Sequence, residues 1–122
     1  TQLYIKQDDS PDRPTVEKQK LDADSLYNEI IKLIKLRNEN TALHNLSDFE
    51  FVSYDGYPLV YRRKSADQEL LICINPCGDE KSFTADTNLG EIVYSLGENA
   101  SVSGNTVNIP ASGAVFVSIK NK

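Results

Sequence analysis

The chain contains no methionine, one histidine (His44) and only two cysteines, Cys73 and Cys77. Two thiols do not make a disulfide framework, and with a single histidine they cannot complete an ordinary structural zinc site. We expect no metal and no cofactor. No apolar run approaches the roughly 18 residues of a spanning helix, and no charged-then-apolar leader opens the chain. Basic clusters are also missing. The formal net charge is −5, which argues against nucleic acids and anionic membranes as partners. There is no glycine-rich phosphate loop, no GxSxG and no HExxH, so no catalytic residue is nominated. The start at Thr1, with no methionine anywhere, leads us to expect a processed chain or an excised piece. Nothing in the residues fixes a cellular location, and the cytoplasm is the favoured expectation.

What is present fits one globular domain: 122 residues, 39% hydrophobic and 25% charged. The stretch Ser25 to Leu43 organises the rest. At about 100° per residue, Leu26, Ile30, Leu33, Ile34 and Leu36 share one side, and Tyr27 and Ile31 widen it. The polar strip left over holds only Asn28, Lys32, Lys35 and Glu39. Such a wide arc belongs to a helix lying between two bodies. Arg37 falls near its middle and must find acceptors or reach water along its stem. Asp24 or Ser25 is the N-cap, Glu29 complements the helix dipole, and the helix should end near Asn40. Upstream, Asp8, Asp9, Pro11, Asp12 and Pro14 punctuate residues 1–24, which read as an extended, solvated linker.

Beyond His44 the period changes to two. Strands are expected at Phe49–Ser53, Leu59–Arg63, Glu69–Asn75, Lys81–Ala85, Glu91–Leu96, Ala100–Val102, Thr106–Ile109 and Ala114–Ile119. Turn residues separate them: Asp55-Gly56, Asn75-Pro76-Cys77-Gly78-Asp79, Asn88-Leu89-Gly90, Gly97-Glu98-Asn99 and Ser103-Gly104-Asn105. Glu69–Asn75 is apolar on both faces, as a central strand covered on both sides would be. The spacing predicts an antiparallel β-sandwich of about eight strands, of Greek-key type, with one N-terminal α-helix packed on it.

The chemistry-bearing residues are few. Cys73 sits in the most apolar strand and reads as a small core residue, while Cys77 falls in a loop. Both should be free thiols. His44 has no second histidine with which to build a triad. Tyr54, Tyr57 and Tyr61 gather around the Asp55-Gly56 hairpin, where aromatic faces could carry a sugar ring or simply pack. Asn45-Leu46-Ser47 and Asn99-Ala100-Ser101 fit the N-glycosylation triplet, which is frequent by chance.

The order of these features resembles the C-terminal region of the α-amylase family of glycoside hydrolases. Leu33-Ile34-Lys35-Leu36-Arg37 followed by Ala42-Leu43 resembles the helix that closes that family's catalytic barrel. Phe49–Tyr54, Val60-Tyr61-Arg62-Arg63, Leu70–Asn75 with Pro76, and Ile109-Pro110-Ala111-Ser112-Gly113-Ala114-Val115-Phe116 resemble successive strands of the sandwich after it. The resemblance runs over residues 9–122. It implies residues 1–24 as a linker from the barrel, 25–43 as the last barrel helix and 44–122 as the sandwich. Asp12-Arg13-Pro14-Thr15 resembles the tail of the loop after the eighth barrel strand, with no role assigned to Arg13. The family's two aspartates and one glutamate belong to barrel strands, and none of their motifs lies here.

The resemblance therefore implies a non-catalytic domain that stabilises a (β/α)₈ barrel acting on α-glucosidic oligosaccharides or starch. The barrel itself is the expected partner. Two alternatives stand beside it: a carbohydrate-binding module using Tyr54, Tyr57 and Tyr61 on an α-glucan, and a protein-interaction domain docking through the apolar helix. That helix face is expected either to pair two copies into a homodimer or to lie hidden beneath residues 1–20.

Overall fold

A computed structural model describes residues 15–120. The linker residues Asp8 to Pro14, with Arg13, and the Leu3-Tyr4-Ile5 segment lie outside them. The chain forms two compact units that part between Lys35 and Leu36, and each is described by itself.

The first unit opens with α1, Val16–Leu21. This corrects the extended reading of these residues. The last proline is Pro14, and Thr15 immediately beyond it caps a helix, its Oγ1 accepting from the Lys18 N–H at 3.2 Å. Glu17 lies in the first turn, the favourable end of the dipole. A polar knot then starts α2, Leu26–Glu39, whose last turn from Leu36 onward already belongs to the second unit. Ser25 Oγ donates to the Gln19 carbonyl at 2.6 Å and accepts from the Asn28 N–H at 3.2 Å, so Ser25 is the cap. The Asn28 amide donates to the carbonyls of Gln19 and Asp22, at 2.8 and 2.6 Å. Gln19 Oε1 accepts from the Tyr27 N–H at 2.9 Å. Side chains thus satisfy donors that the first helical turn leaves orphaned. No residue of α2 is buried, and Arg37 is exposed, its guanidinium reaching water.

The second unit is the sandwich. Its strands are β1 (Asp48–Ser53), β2 (Leu59–Lys64), β3 (Glu69–Asn75), β4 (Lys81–Thr84), β5 (Leu89–Leu96), β6 (Ser101–Ser103), β7 (Thr106–Ile109) and β8 (Gly113–Ile119). They form a five-stranded sheet ordered β1-β2-β3-β8-β5 and a three-stranded sheet ordered β4-β7-β6. Every pairing is antiparallel. The chain changes sheets between β3 and β4, β4 and β5, β5 and β6, and β7 and β8.

One strand boundary differs from expectation by more than a single residue. Leu89 and Gly90, read as turn residues, already belong to β5. A Cβ at Gly90 would run into Ser118 Oγ and push that hydroxyl out of its place. That hydroxyl accepts from the Glu91 N–H at 2.9 Å, linking β5 to β8.

The core lies between the sheets. Val60, Cys73 and Val115 form one cross-strand row of the larger sheet, and Leu71, Val117 and Ile92 form the next. They meet Val107, Ile109 and Phe83 of the smaller sheet. Burying each such aliphatic side chain contributes about 1.5–3 kcal/mol. Three strands cannot cover five. At the β1 side, beyond the reach of that core, the same face turns charged: Asp48, Glu50, Arg62, Lys64 and Glu69 line a shallow depression there. Arg62 pairs with Glu69 at 3.2 Å and with Asp86 at 3.5 Å.

Candidate functional site

The outer face of the five-stranded sheet breaks the usual rule for a sandwich. Outward positions on antiparallel sheets are normally polar. Here the register aligns Phe51, Tyr61, Ile72, Phe116 and Tyr94 in one row across all five strands. Leu59, Ile74, Ala114 and Leu96 form a parallel row beside it. A third row holds Phe49, Arg63 and Leu70. Within this face the central strand is closed off: Leu70 and Ile72 are 0% and 1% exposed. The β1 end is open, with Phe49 at 48%, Phe51 at 53% and Tyr54 at 71%.

The rings at that end are locked together. Phe49 stacks on Tyr61 with centroids 4.9 Å apart and planes 28° from parallel. Phe51 meets Phe49 edge-on at 4.8 Å and 88°, and Tyr54 tilts against Phe51 at 5.5 Å and 56°. Burial among them pushes the Tyr61 phenol above 10.0, an effect the Arg63 charge opposes. Arg63 also ties this face to the 3₁₀ turn Thr41–Leu43. Its Nε donates to the Ala42 carbonyl at 3.2 Å, its Nη2 donates to the His44 carbonyl, and its guanidinium lies 5.9 Å from the Phe49 ring centre.

A second feature is polar. Thr41, His44, Ser47, Asp48, Lys64 and Asp67 help to line an open cleft of about 600 Å³. Thr41 and Ser65 donate to Asp67 Oδ1 at 2.8 and 3.0 Å, and the two hydroxyl oxygens are 2.7 Å apart. These hydrogen bonds, Thr41 first, hold the Asp67 carboxyl below 3.8. Alongside, Gln68 accepts from the Ala42 N–H and donates to Asn40 Oδ1, at 3.1 and 2.7 Å. The arrangement pins the 3₁₀ turn to the β2–β3 hairpin, which is a structural task.

The residues singled out in the sequence scatter. Cys73 is buried in the core, which pushes its thiol up to about 12, and both cysteines are free. Cys77 sits in the loop after β3, its carbonyl accepting from the Ser112 N–H at 2.7 Å. His44 and Asn45 are exposed beside the polar cleft, and Asn99 is exposed with φ 67° in the turn before β6. Tyr54 and Tyr57 are exposed, whereas Tyr61 is half-buried beneath Phe49. Reading the tyrosines alone missed Phe49 and Phe51, the larger part of the cluster. Their parity was visible, since Phe49 and Phe51 alternate away from Glu50. Among the described residues no group of three His, Cys, Asp or Glu side chains could hold a metal. No described helix is long and apolar enough to cross a membrane.

No family model and no curated protein sequence matches this chain. Solved structures do. Trehalulose synthase MutB from Pseudomonas mesoacidophila MX-45 superposes with a TM-score of 0.76 at 18% identity, covering 85% of this chain and 19% of that one. A mutant isomaltulose synthase from Erwinia rhapontici NX5, in complex with D-glucose, gives 0.76 at 17%, covering 87% and 20%. The α-amylase from H. orenii gives 0.72 at 20%, covering 87% and 22%. At such identities the likeness is one of fold. This chain has the fold of one part of these α-amylase-family enzymes and spans about a fifth of their length.

Proposed function

We propose that this chain is the accessory β-sandwich of an α-amylase-type glycosidase, carrying the last helix of the catalytic barrel in front of it, and that it covers and stabilises that barrel. The observation that carries this reading is α2. Its apolar residues occupy well over half of its circumference, yet not one is buried, with Leu26 at 70% and Ile34 at 52% exposure. A contiguous apolar surface of this kind marks an interface. The fold likeness supplies the kind of body that fits it. In this reading residues 1–24 lead out of the barrel, 25–43 belong to its last helix, and 44–122 form the sandwich. The whole enzyme would act on α-glucosidic oligosaccharides or starch. The chain alone contributes no acid, base or nucleophile to that chemistry.

Two measurements test the proposal. The purified chain should show no turnover of starch, maltose or aryl α-glucosides, and activity that co-purifies with the folded chain would overturn the reading. The complete translation product of the gene should place a (β/α)₈ barrel immediately before Thr1. Any other architecture there would be equally fatal.

A further inference from the structure

We infer that the open end of the outer sheet face, formed by Phe49, Phe51 and Tyr54 over Tyr61, is a second surface through which the sandwich docks on the barrel. The inference rests on the reading above and adds a contact that α2 does not make.

Three observations lead to a protein surface as the occupant. The first is ring geometry. A sugar platform presents an open aromatic face, and neighbouring subsites need faces that are nearly coplanar. Here the two rings closest to parallel, Phe49 and Tyr61, are stacked on each other, so each hides a face of its partner. Phe51 stands at 88° to Phe49 and Tyr54 at 56° to Phe51. The result is an interlocked knob, whose shape suits the packed groove of a protein surface.

The second is continuity. Phe51 shares one register row with Ile72, which is buried, and Phe116, which is half-buried, and Phe49 shares the next row with the buried Leu70. The sheet is therefore apolar on both faces, and an antiparallel sheet of that kind needs a further layer. A layer extended from the closed centre towards β1 would cover Phe51 and Phe49 next. Arg63 holds the 3₁₀ turn against the same face, and that turn begins two residues after α2 ends.

The third is charge and size. A second copy of this chain would bring another net −5 to an edge whose β1 strand alternates Asp48 and Glu50 with the two phenylalanines, an arrangement that works against pairing like edges. The solved structures that share the fold are several times longer, this chain covering only 19–22% of them. A large body attached to the same sandwich is thus the occupant the fold likeness offers.

The test is hydroxyl-radical footprinting of the complete translation product against the 122-residue chain. Phe49, Phe51 and Tyr54 should be labelled severalfold less in the complete product, with Phe83 of the smaller sheet unchanged. A paired variant, Phe49→Ser with Phe51→Ser, should leave the isolated chain folded by circular dichroism and restore labelling of Tyr54 in the complete product. Equal labelling of the three rings in a product that does hold a barrel overturns this inference and leaves the proposed function standing. A product without a barrel overturns both. Protection of the rings in the isolated chain by maltooligosaccharide, or by raising its own concentration, assigns the knob to a sugar or to a second copy and overturns the inference as well.

Discussion

Tyr61 and Phe49 lie face to face on the diagonal of the β1–β2 pair, 4.9 Å between ring centres and 28° from parallel. The stack joins an exposed ring on an edge strand to a half-buried ring on its neighbour, so it stabilises a strand that has a partner on one side only. Phe49→Ala should destabilise the chain by about 1–2 kcal/mol, the sum of a lost aromatic pair and partial apolar burial. Phe49→Leu, which keeps most of the apolar area, should cost about half as much. Urea melts read both. The Tyr61 phenol, raised by burial, should fall back towards its ordinary 10.0 in Phe49→Ala when titrated by NMR. A Tyr61 titration unchanged in that variant would mean that Phe49 does not supply the burial.

Cys73 provides an alkaline prediction. Burial raises its thiol from 9.0 to about 12, so the folded chain keeps the proton longer than the unfolded one does. The stabilisation is complete below the unfolded value and disappears as pH rises towards the folded one. Stability should therefore decline between pH 9 and about 12, and Cys73→Ala should flatten part of that decline. Native Cys73 should also resist iodoacetamide until denaturant is added. One adduct in the native protein, on Cys77, and two after unfolding is the expected mass spectrum. A native adduct on Cys73 would contradict its burial.

Asp67 acts at the opposite end of the scale. The hydroxyls of Thr41 and then Ser65 favour its charged form and lower its pKa below 3.8. A carboxyl lowered in the folded state stabilises the fold above its unfolded value, and that contribution is lost as pH falls through the folded value. Thr41→Val and Ser65→Ala should each move the Asp67 titration upward in carboxyl NMR, Thr41→Val by more. The carboxylate is exposed, so the effect on the melting temperature at neutral pH should be small.

How much of this could be read from the residues depended on whether the signal was periodic or local. Glu69–Asn75 announced itself as the central strand because both of its faces are apolar, and β3 does lie in the middle of its sheet. A cap at Asp24 or Ser25 and the end of α2 near Asn40 followed from side-chain chemistry that acts within one turn, and the bond from Asn28 N–H selects Ser25. Helix α1 escaped because Val16–Leu21 is short and mostly polar, and its support comes from Thr15, Gln19, Ser25 and Asn28 bonding to nearby backbone. Gly90 in β5 looked like a turn residue because its reason is the approach of Ser118 from a distant strand. Phe49 and Phe51 showed their alternation, but not which sheet face it would fall on. That choice depends on Val60, Cys73 and Val115 aligning in one row on the opposite side.

The same contrast between two kinds of apolar residue yields the sharpest mutational test. Leu71 and Val107 are 1% and 0% exposed and belong to the core between the sheets. Leu71→Ala should cost about 2–5 kcal/mol, since neighbours on both sheets cannot collapse into the space. In α2 the same chemistry meets different surroundings. Ile30, Ile31 and Ile34 are 45%, 47% and 52% exposed, so truncation leaves no enclosed cavity, and alanine is the better helix former by a few tenths of a kcal/mol. Each should therefore change stability by less than about 1 kcal/mol in the isolated chain. Leu36 and Tyr27 are half-buried and should fall between the two groups. If α2 packs on a barrel in the complete protein, the ranking changes there: Ile31→Ala and Ile34→Ala become costly while Leu71→Ala costs what it did before. Denaturant melts of the same variants in the chain and in the complete product decide this. Identical costs in both contexts would show that the apolar face of α2 meets no further body, and the proposed function would fall with it.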